Sequence, residues 1–405
     1  MIAVLRDRTF ASLAVPNYRR YFTGQVVSIS GNWMQTVAEM WLIVTLTGSG
    51  VAVGITAALQ FLPMLLFAPW GGLLADRFPK RRLLMVTQSL MALPAIALWA
   101  LTAAALIEVW LVYALVFARG AVNAVDNPAR QSFAVEMVGP ERVVNAVALN
   151  SVVIHAGRIV GPASAGAVIA LFGIAPCFLV NAFTFGVMFL ALRGMDPRGL
   201  APAASGQADG PGRVRCALRY VVATPALLVP LAMMALVGTL SFNFQILLPL
   251  FAESTWKGTA TTYATLTACM GVGSILGALA AGTRGRVSAR LLVGAAAGFG
   301  VFELLAAAAP TLELQLAALV PLGAVSVTFA AGVNSALQLA VEPALRGRVM
   351  ALYSVVFLGS TPIGAPLVGW VAEELGPRTG MVLGAGAALV AAAGAQAFWH
   401  RRALL

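Results

Sequence analysis

Asn127-Pro128-Ala129-Arg130-Gln131, followed by Ala134-Val135-Glu136, returns in the second part of the chain as Asn334-Ser335-Ala336-Leu337-Gln338, followed by Ala340-Val341-Glu342. The match continues outward. Arg142-Val143 corresponds to Arg348-Val349, Ala148-Leu149 to Ala351-Leu352, Ser151-Val152-Val153 to Ser354-Val355-Val356, and Gly161 and Gly166 to Gly364 and Gly369. The offset stays near half of the 405 residues, so the chain is built as two similar halves. Midway lies Asp196 to Arg213 (DPRGLAPAASGQADGPGR), rich in Pro, Gly, Ala and Ser and without apolar periodicity. It is expected to be a flexible linker.

Composition sets the class of each half. Hydrophobic residues make up 60% of the chain and charged residues 10%, far less charge than a soluble chain of this length carries. Uncharged apolar stretches long enough to cross a hydrocarbon core about 30 Å thick follow one another along the sequence. They predict twelve spans, near 21–47, 51–75, 83–106, 109–127, 145–172, 174–192, 222–251, 261–282, 290–309, 313–336, 349–372 and 379–399. The expected fold class is therefore all-α: a polytopic membrane protein with two six-helix bundles, 1–193 and 220–405, joined by a linker at 194–219. Six spans per half make the halves parallel repeats, related by an axis along the membrane normal.

The net charge of +11 is explained by where the cations fall. They collect in alternate loops: Arg6, Arg8, Arg19 and Arg20; Arg77, Lys80, Arg81 and Arg82; Arg130 and Arg142; Arg193 to Arg219; Arg284 to Arg290; Arg346 and Arg348; and Arg401 with Arg402. The opposite loops hold only Lys257 and Arg378. The positive-inside rule then puts both termini and the linker on the cytoplasmic side of a bacterial plasma membrane. No nucleic-acid partner is needed to account for the charge. Met1 to Pro16 has no small-residue cleavage pattern, so span 1 is expected to direct insertion. Cys177, Cys216 and Cys269 are isolated, and His155 and His400 are the only histidines, so neither a disulfide framework nor a metal site is expected.

Gly72-Leu73-Leu74-Ala75-Asp76-Arg77-Phe78-Pro79-Lys80-Arg81-Arg82 resembles the signature loop between spans 2 and 3 of the major facilitator superfamily. Gly157-Arg158-Ile159-Val160-Gly161-Pro162, continuing to Gly166, resembles the glycine-proline motif of the exporters in that superfamily. Asn17-Tyr-Arg-Arg-Tyr-Phe, Gly31-Asn-Trp-Met-Gln-Thr, Asn145-Ala-Val-Ala-Leu-Asn-Ser and Asn243-Phe-Gln-Ile-Leu-Leu-Pro-Leu are similar to the bacterial branch that contains the enterobactin exporter and many drug efflux proteins. The resemblance covers nearly the whole chain. Pro79 stands where the loop motif usually has glycine, and Arg119-Gly120 lacks the rest of the drug-antiporter arginine motif. The resemblance implies alternating access, with Gly72, Asp76, Arg77, Lys80 and Arg81 forming a gating latch. Elementary chemistry lets Asp76 cap a neighbouring helix or pair with Arg77 or Lys80, and the same charges also serve topology alone. Gly157 and Gly161 lie four apart on one face, which admits a close partner helix, and Pro162 permits a bend.

Polar groups inside the spans mark a path, because charge in hydrocarbon is costly. Gln25, Ser28, Asn32, Gln35 and Glu39 fall at spacings of three and four, one stripe down one face of span 1. Ser151, His155 and Arg158 make a similar stripe in span 5, and Arg119 lies in span 4. Asn243 and Gln245 in span 7 occupy the place equivalent to the span 1 stripe. These residues are expected to line a substrate cavity, with Glu39 as proton carrier and Arg119 or Arg158 as its partner; a static ion pair that fixes packing is the alternative. Glu303 has no polar stripe around it and is the weaker candidate, and Asp126 with Arg130 reads as a local pair. No nucleotide-binding GxxxxGK[ST] loop is present, so an ion gradient is the expected drive. The expectation is a proton-coupled exporter of amphipathic small molecules, monomeric and without cofactor. An importer or facilitator of a polar solute is the alternative. A membrane enzyme or sensor would need a nucleophile-base pair or metal cluster that the sequence does not offer.

Overall fold

The computed structural model describes residues 11–200, 212–282, 288–342 and 345–403. Part of the 194–219 linker, and Arg6, Arg8, Arg284 and Arg286, lie outside these residues. The described chain is helical and twelve elements follow in order: α1 (Pro16–Thr47), α2 (Gly50–Arg77), α3 (Lys80–Ala103), α4 (Val109–Val138), α5 (Val143–Phe172), α6 (Ala175–Arg193), α7 (Pro225–Thr255, in pieces), α8 (Ala260–Gly282), α9 (Ala289–Ala308), α10 (Leu312–Ala340), α11 (Arg346–Leu375, in two pieces) and α12 (Pro377–Ala403). A twelve-residue helix, Gly212–Ala223, precedes α7. Eleven of the twelve are long and apolar enough to cross a membrane by composition. The twelfth, α1, has 32 residues and owes its lower apolarity to the polar stripe.

The chain divides into two compact units, Met1–Leu42 with Leu62–Ala208, and Ile43–Phe61 with Asp209–Leu405. Residues 43–61, which a division at the linker would leave in the first half, pack with the second unit. The cause is a glycine crossing. A Cβ on Gly50 or Gly54 would run into the carbonyl oxygens of Gly369 and Ala365, and one on Gly369 into that of Gly50. Only hydrogen at these positions lets the helices meet backbone to backbone. Glu373 completes the junction by accepting from Ser49 Oγ at 2.6 Å and from the Val51 amide at 2.9 Å, which satisfies free donors at the start of α2.

Within the first unit α3 packs on α4 and α6, and within the second α8 packs on α10 and α9 on α10 and α12. The repeat seen in the sequence reappears as equivalent contacts. Gly161 of α5 faces the Ser30 carbonyl and Trp33 of α1, while Gly364 of α11 faces the Thr239 carbonyl of α7. Gly71 of α2 faces the Ala124 carbonyl of α4, while Gly277 of α8 faces that of Ala324 in α10. Gly173 and Gly376, at φ of 84° and 87°, end α5 and α11 in the left-handed region that glycine enters without a Cβ penalty.

Two helices are interrupted, each for a local reason. In α7 the helix Pro225–Leu240 stops before Phe244–Leu250. The Asn243 side-chain amide donates to the Thr239 carbonyl at 2.8 Å, taking the acceptor its own backbone N–H would use, and that N–H turns to the Ser241 carbonyl. Pro249 then lacks an amide, and the chain passes through one π-helical turn at Phe251–Thr255. In α11 the break at Ser360 precedes Pro362, which cannot donate to the preceding turn.

Candidate functional site

Most of the span 1 stripe is buried, and Gln25, Gln35 and Glu39 bond to three different helices. Gln25 donates to Asn150 of α5. Gln35 donates to Glu39 at 2.7 Å and accepts from Asn181 of α6. Glu39 accepts from the Arg119 guanidinium of α4 at 2.6 Å. Glu39, Gln35 and Asn181 have no exposed surface, and Arg119 is 7% exposed. Gly31 makes room for this network, since a Cβ there would strike Asn181 and Thr184. Three of the predicted residues are thus brought together: Gln35, Glu39 and Arg119. Ser28 is buried with its hydroxyl unpartnered, and Asn32 is half-buried.

A buried carboxylate paired with a guanidinium either fixes helix packing or, on taking up a proton, changes its charge state. Protonating Glu39 would remove the charge that holds Arg119, whose Nε is already buried without a partner.

Arg158 does not reach Glu39. Its guanidinium lies over the Trp33 ring, 5.2 Å from the centroid, and its Nε is unpartnered. His155 Nδ1 is likewise buried without a partner, and Ser151 is exposed and turned back on the Val147 carbonyl. Gly157 and Gly161 do admit a close helix, as expected: their missing Cβ atoms leave room for Ile29 and Trp33, and α5 continues unbroken through Pro162. Asn243 is buried at the α7 break with its Oδ1 unpartnered, and Gln245 is half-buried.

In the loop between α2 and α3, the cations are used inside the first unit. Lys80, 5% exposed, pairs with Glu136 at 2.5 Å rather than with Asp76. Arg81 donates to the Leu192 and Arg193 carbonyls, both at 2.7 Å, and so caps the end of α6. Asp76 and Arg77 are exposed and form no hydrogen bond or ion pair with the described residues. Gly72 faces open space, and the close approach belongs to Gly71.

Sequence reasoning missed Asn181, whose only signal is an amide in an otherwise apolar run, and the partners of Asp126. That carboxylate accepts from Thr87 at 2.6 Å, from Gln88 at 2.8 Å and from Arg130, the last as the local pair expected. Glu373 with Ser49 was missed too, because the two are 324 residues apart.

Comparisons with known proteins place the family and the fold. Residues 7–403 match the family described as transmembrane secretion effector, within the major facilitator superfamily. The staphyloferrin A transporter of Staphylococcus aureus is 31% identical over 173 residues, 42% of this chain and 43% of that one, so this match spans less than half of the relative's length. The enterobactin exporter EntS of Escherichia coli is 24% identical over 369 residues, 89% and 86% of the two chains. Macrolide efflux protein A of Streptococcus pyogenes is 23% identical over 384 residues, 88% and 89%. Among solved structures, the nucleoside transporter NupG superposes with a TM-score of 0.74 at 15% identity, covering 94% of this chain and 98% of that one, which speaks for the fold alone. With its helices, its internal repeat and a family match over nearly its full length, the chain belongs to the transmembrane secretion effector family of major facilitator superfamily transporters.

Proposed function

We propose that this transporter is a proton-coupled exporter of amphipathic small molecules, drug-like or siderophore-like, working by alternating access. One observation carries the coupling: the buried Glu39–Arg119 pair, closed off by Gln35 and Asn181. A carboxylate permanently beside an arginine stays ionised, so the carrier role requires the pair to open during the cycle. A proton arriving on Glu39 releases Arg119, and its departure draws the arginine back. Export is supported by the relatives, named as exporters of a siderophore and of macrolides. In this reading the sequence halves 1–193 and 220–405 work together as a monomer in a bacterial plasma membrane. Both termini and the 194–219 linker are cytoplasmic, and the Asp76 loop steadies the state closed to the cytoplasm. Gln25, Ser28, Asn32, Ser151, His155, Asn243 and Gln245 supply polar groups to the substrate path.

Cells expressing the protein should accumulate less ethidium than control cells, and a protonophore should abolish the difference. In liposomes under an imposed pH difference, Glu39→Gln keeps size and hydrogen bonding but cannot titrate. It should still bind ethidium and fail to concentrate it. Continued uphill transport by Glu39→Gln would move the carrier role to another group. Cysteines placed at Lys257 and Arg378 should label from outside and one at Ser205 from inside; Ser205 labelling from outside would overturn the orientation.

A further inference from the structure

Glu303 of α9 differs from the other buried carboxylates. Glu39 and Asp126 each hold a cation, as does the half-buried Glu136. Glu303 has no exposed surface, both carboxyl oxygens lack a hydrogen-bond partner, and it forms no ion pair among the described residues. The charged groups of every element packed against it are engaged or distant. On α9 itself Arg290 lies in the first turn; on α10 Glu313 is exposed in the first turn; on α12 His400, Arg401 and Arg402 lie near the far end. Arg378 of α12 is engaged elsewhere: its guanidinium donates to the Ala307 carbonyl at 2.9 Å and lies over Trp256. Glu253 of α7 follows the π turn's start, beyond Pro249.

The space around the carboxyl group is specific. A Cβ on Gly384 of α12 would stand 2.5 Å from Glu303 Oε1, 2.9 Å from the Leu240 carbonyl oxygen and 3.0 Å from Ser241 Cα. The carboxyl group therefore occupies the room of an absent methyl group, which the last carbonyl of Pro225–Leu240 also borders, one of the acceptors a helix end leaves without an amide. Ser241 cannot serve it, because its hydroxyl already donates to the Gly384 carbonyl at 2.6 Å. Phe299, one turn earlier on the same face, packs against Phe242 and Phe244 and keeps that side apolar. An unpaired charge enclosed in this way would cost several kcal/mol, so something bound to the carboxyl group itself must neutralise it.

We propose that Glu303 is a second proton-binding site of the transport cycle, with the break in α7 as the element it controls. In the closed pocket the carboxyl hydroxyl donates to the Leu240 carbonyl. Loss of the proton sets a carboxylate against that carbonyl, acceptor against acceptor, and drives the end of Pro225–Leu240 away from α12. A sodium ion would need a shell of oxygens, and the phenylalanine side supplies none. The coupling role rests on the proton-driven reading above, while the occupancy of the site does not.

The test uses the full-length purified protein and dicyclohexylcarbodiimide, an apolar reagent that modifies protonated carboxyl groups, with the site mapped by peptide mass spectrometry. Glu303 should be modified at neutral pH, sodium should not protect it, and Glu39 and Asp126 should stay unmodified. In liposomes under a pH difference, Glu303→Gln should bind ethidium, let it equilibrate, and lose uphill transport. An unmodified Glu303, or protection by sodium, would overturn the proton site, and uphill transport by Glu303→Gln would overturn its coupling role. If the wild type pumps no ethidium under a pH difference yet Glu303 is modified, the proton-driven reading falls and the protonated site stands.

Discussion

Two buried glutamates, one in each unit, sit in opposite kinds of surroundings. Glu39 lies on the continuous helix α1, in contact with an arginine and a chain of two amides. Glu303 lies beside the interrupted α7, with apolar rings on one side and a bare carbonyl on the other. The two units repeat a set of glycine contacts between helices, yet they place their buried charge differently. In the first unit a charge is neutralised by a partner built into the fold; in the second it must be neutralised by a passenger. The cost of disturbing each follows from that difference.

The largest effect is expected from Arg119→Leu, which leaves Glu39 enclosed without a counter-charge and should cost about 3–5 kcal/mol of stability. Thermal unfolding in detergent, run alongside Glu39→Gln and the double variant, reads it. The double variant should recover part of the loss, and a double variant worse than Arg119→Leu would show that the pair does not compensate. Next come Gly161→Ala and Gly364→Ala, the equivalent contacts of the two units. Each forces a methyl group onto a neighbouring backbone and should cost about 1–3 kcal/mol. Unequal losses would mean that the shared frame carries different loads. Glu373→Ala removes the acceptor for Ser49 and Val51 and should cost about 0.5–1 kcal/mol, measured as the same melting shift. Smallest of all, Glu303→Gln replaces a neutralised group by a neutral one and should leave the unfolding temperature unchanged. A loss as large as that of Arg119→Leu would erase the contrast between the two glutamates.

Much of the frame was legible because apolar length and repeated glycines are written locally. The spacing of Gly157 and Gly161 announced a close helix, and the stripe from Gln25 to Glu39 announced a polar face turned from lipid. The partners were harder, since a hydrogen bond joins residues such as Gln35 and Asn181 that are 146 positions apart. The loop from Gly72 to Arg82 shows a second limit. Its charges suggest pairing among themselves, yet Lys80 is held by Glu136 and Arg81 by the end of α6, because helix packing brings better acceptors than sequence neighbours do. The α7 break illustrates a third. Asn243 reads as a polar lining residue, and only the backbone reveals that its amide replaces a helix bond. Glu303 was underrated for a related reason: its site is defined by a methyl group that Gly384 lacks, and an absent atom leaves no motif.

Gly173 and Gly376 close α5 and α11 at nearly the same backbone angle. They are the punctuation of a duplicated text. A copied gene that keeps its full stops keeps its helix lengths, and so its register across the bilayer, while the words between them are free to diverge. Such a protein can acquire a new coupling group in one copy without redrafting the other, which is how a symmetric scaffold comes to carry asymmetric chemistry.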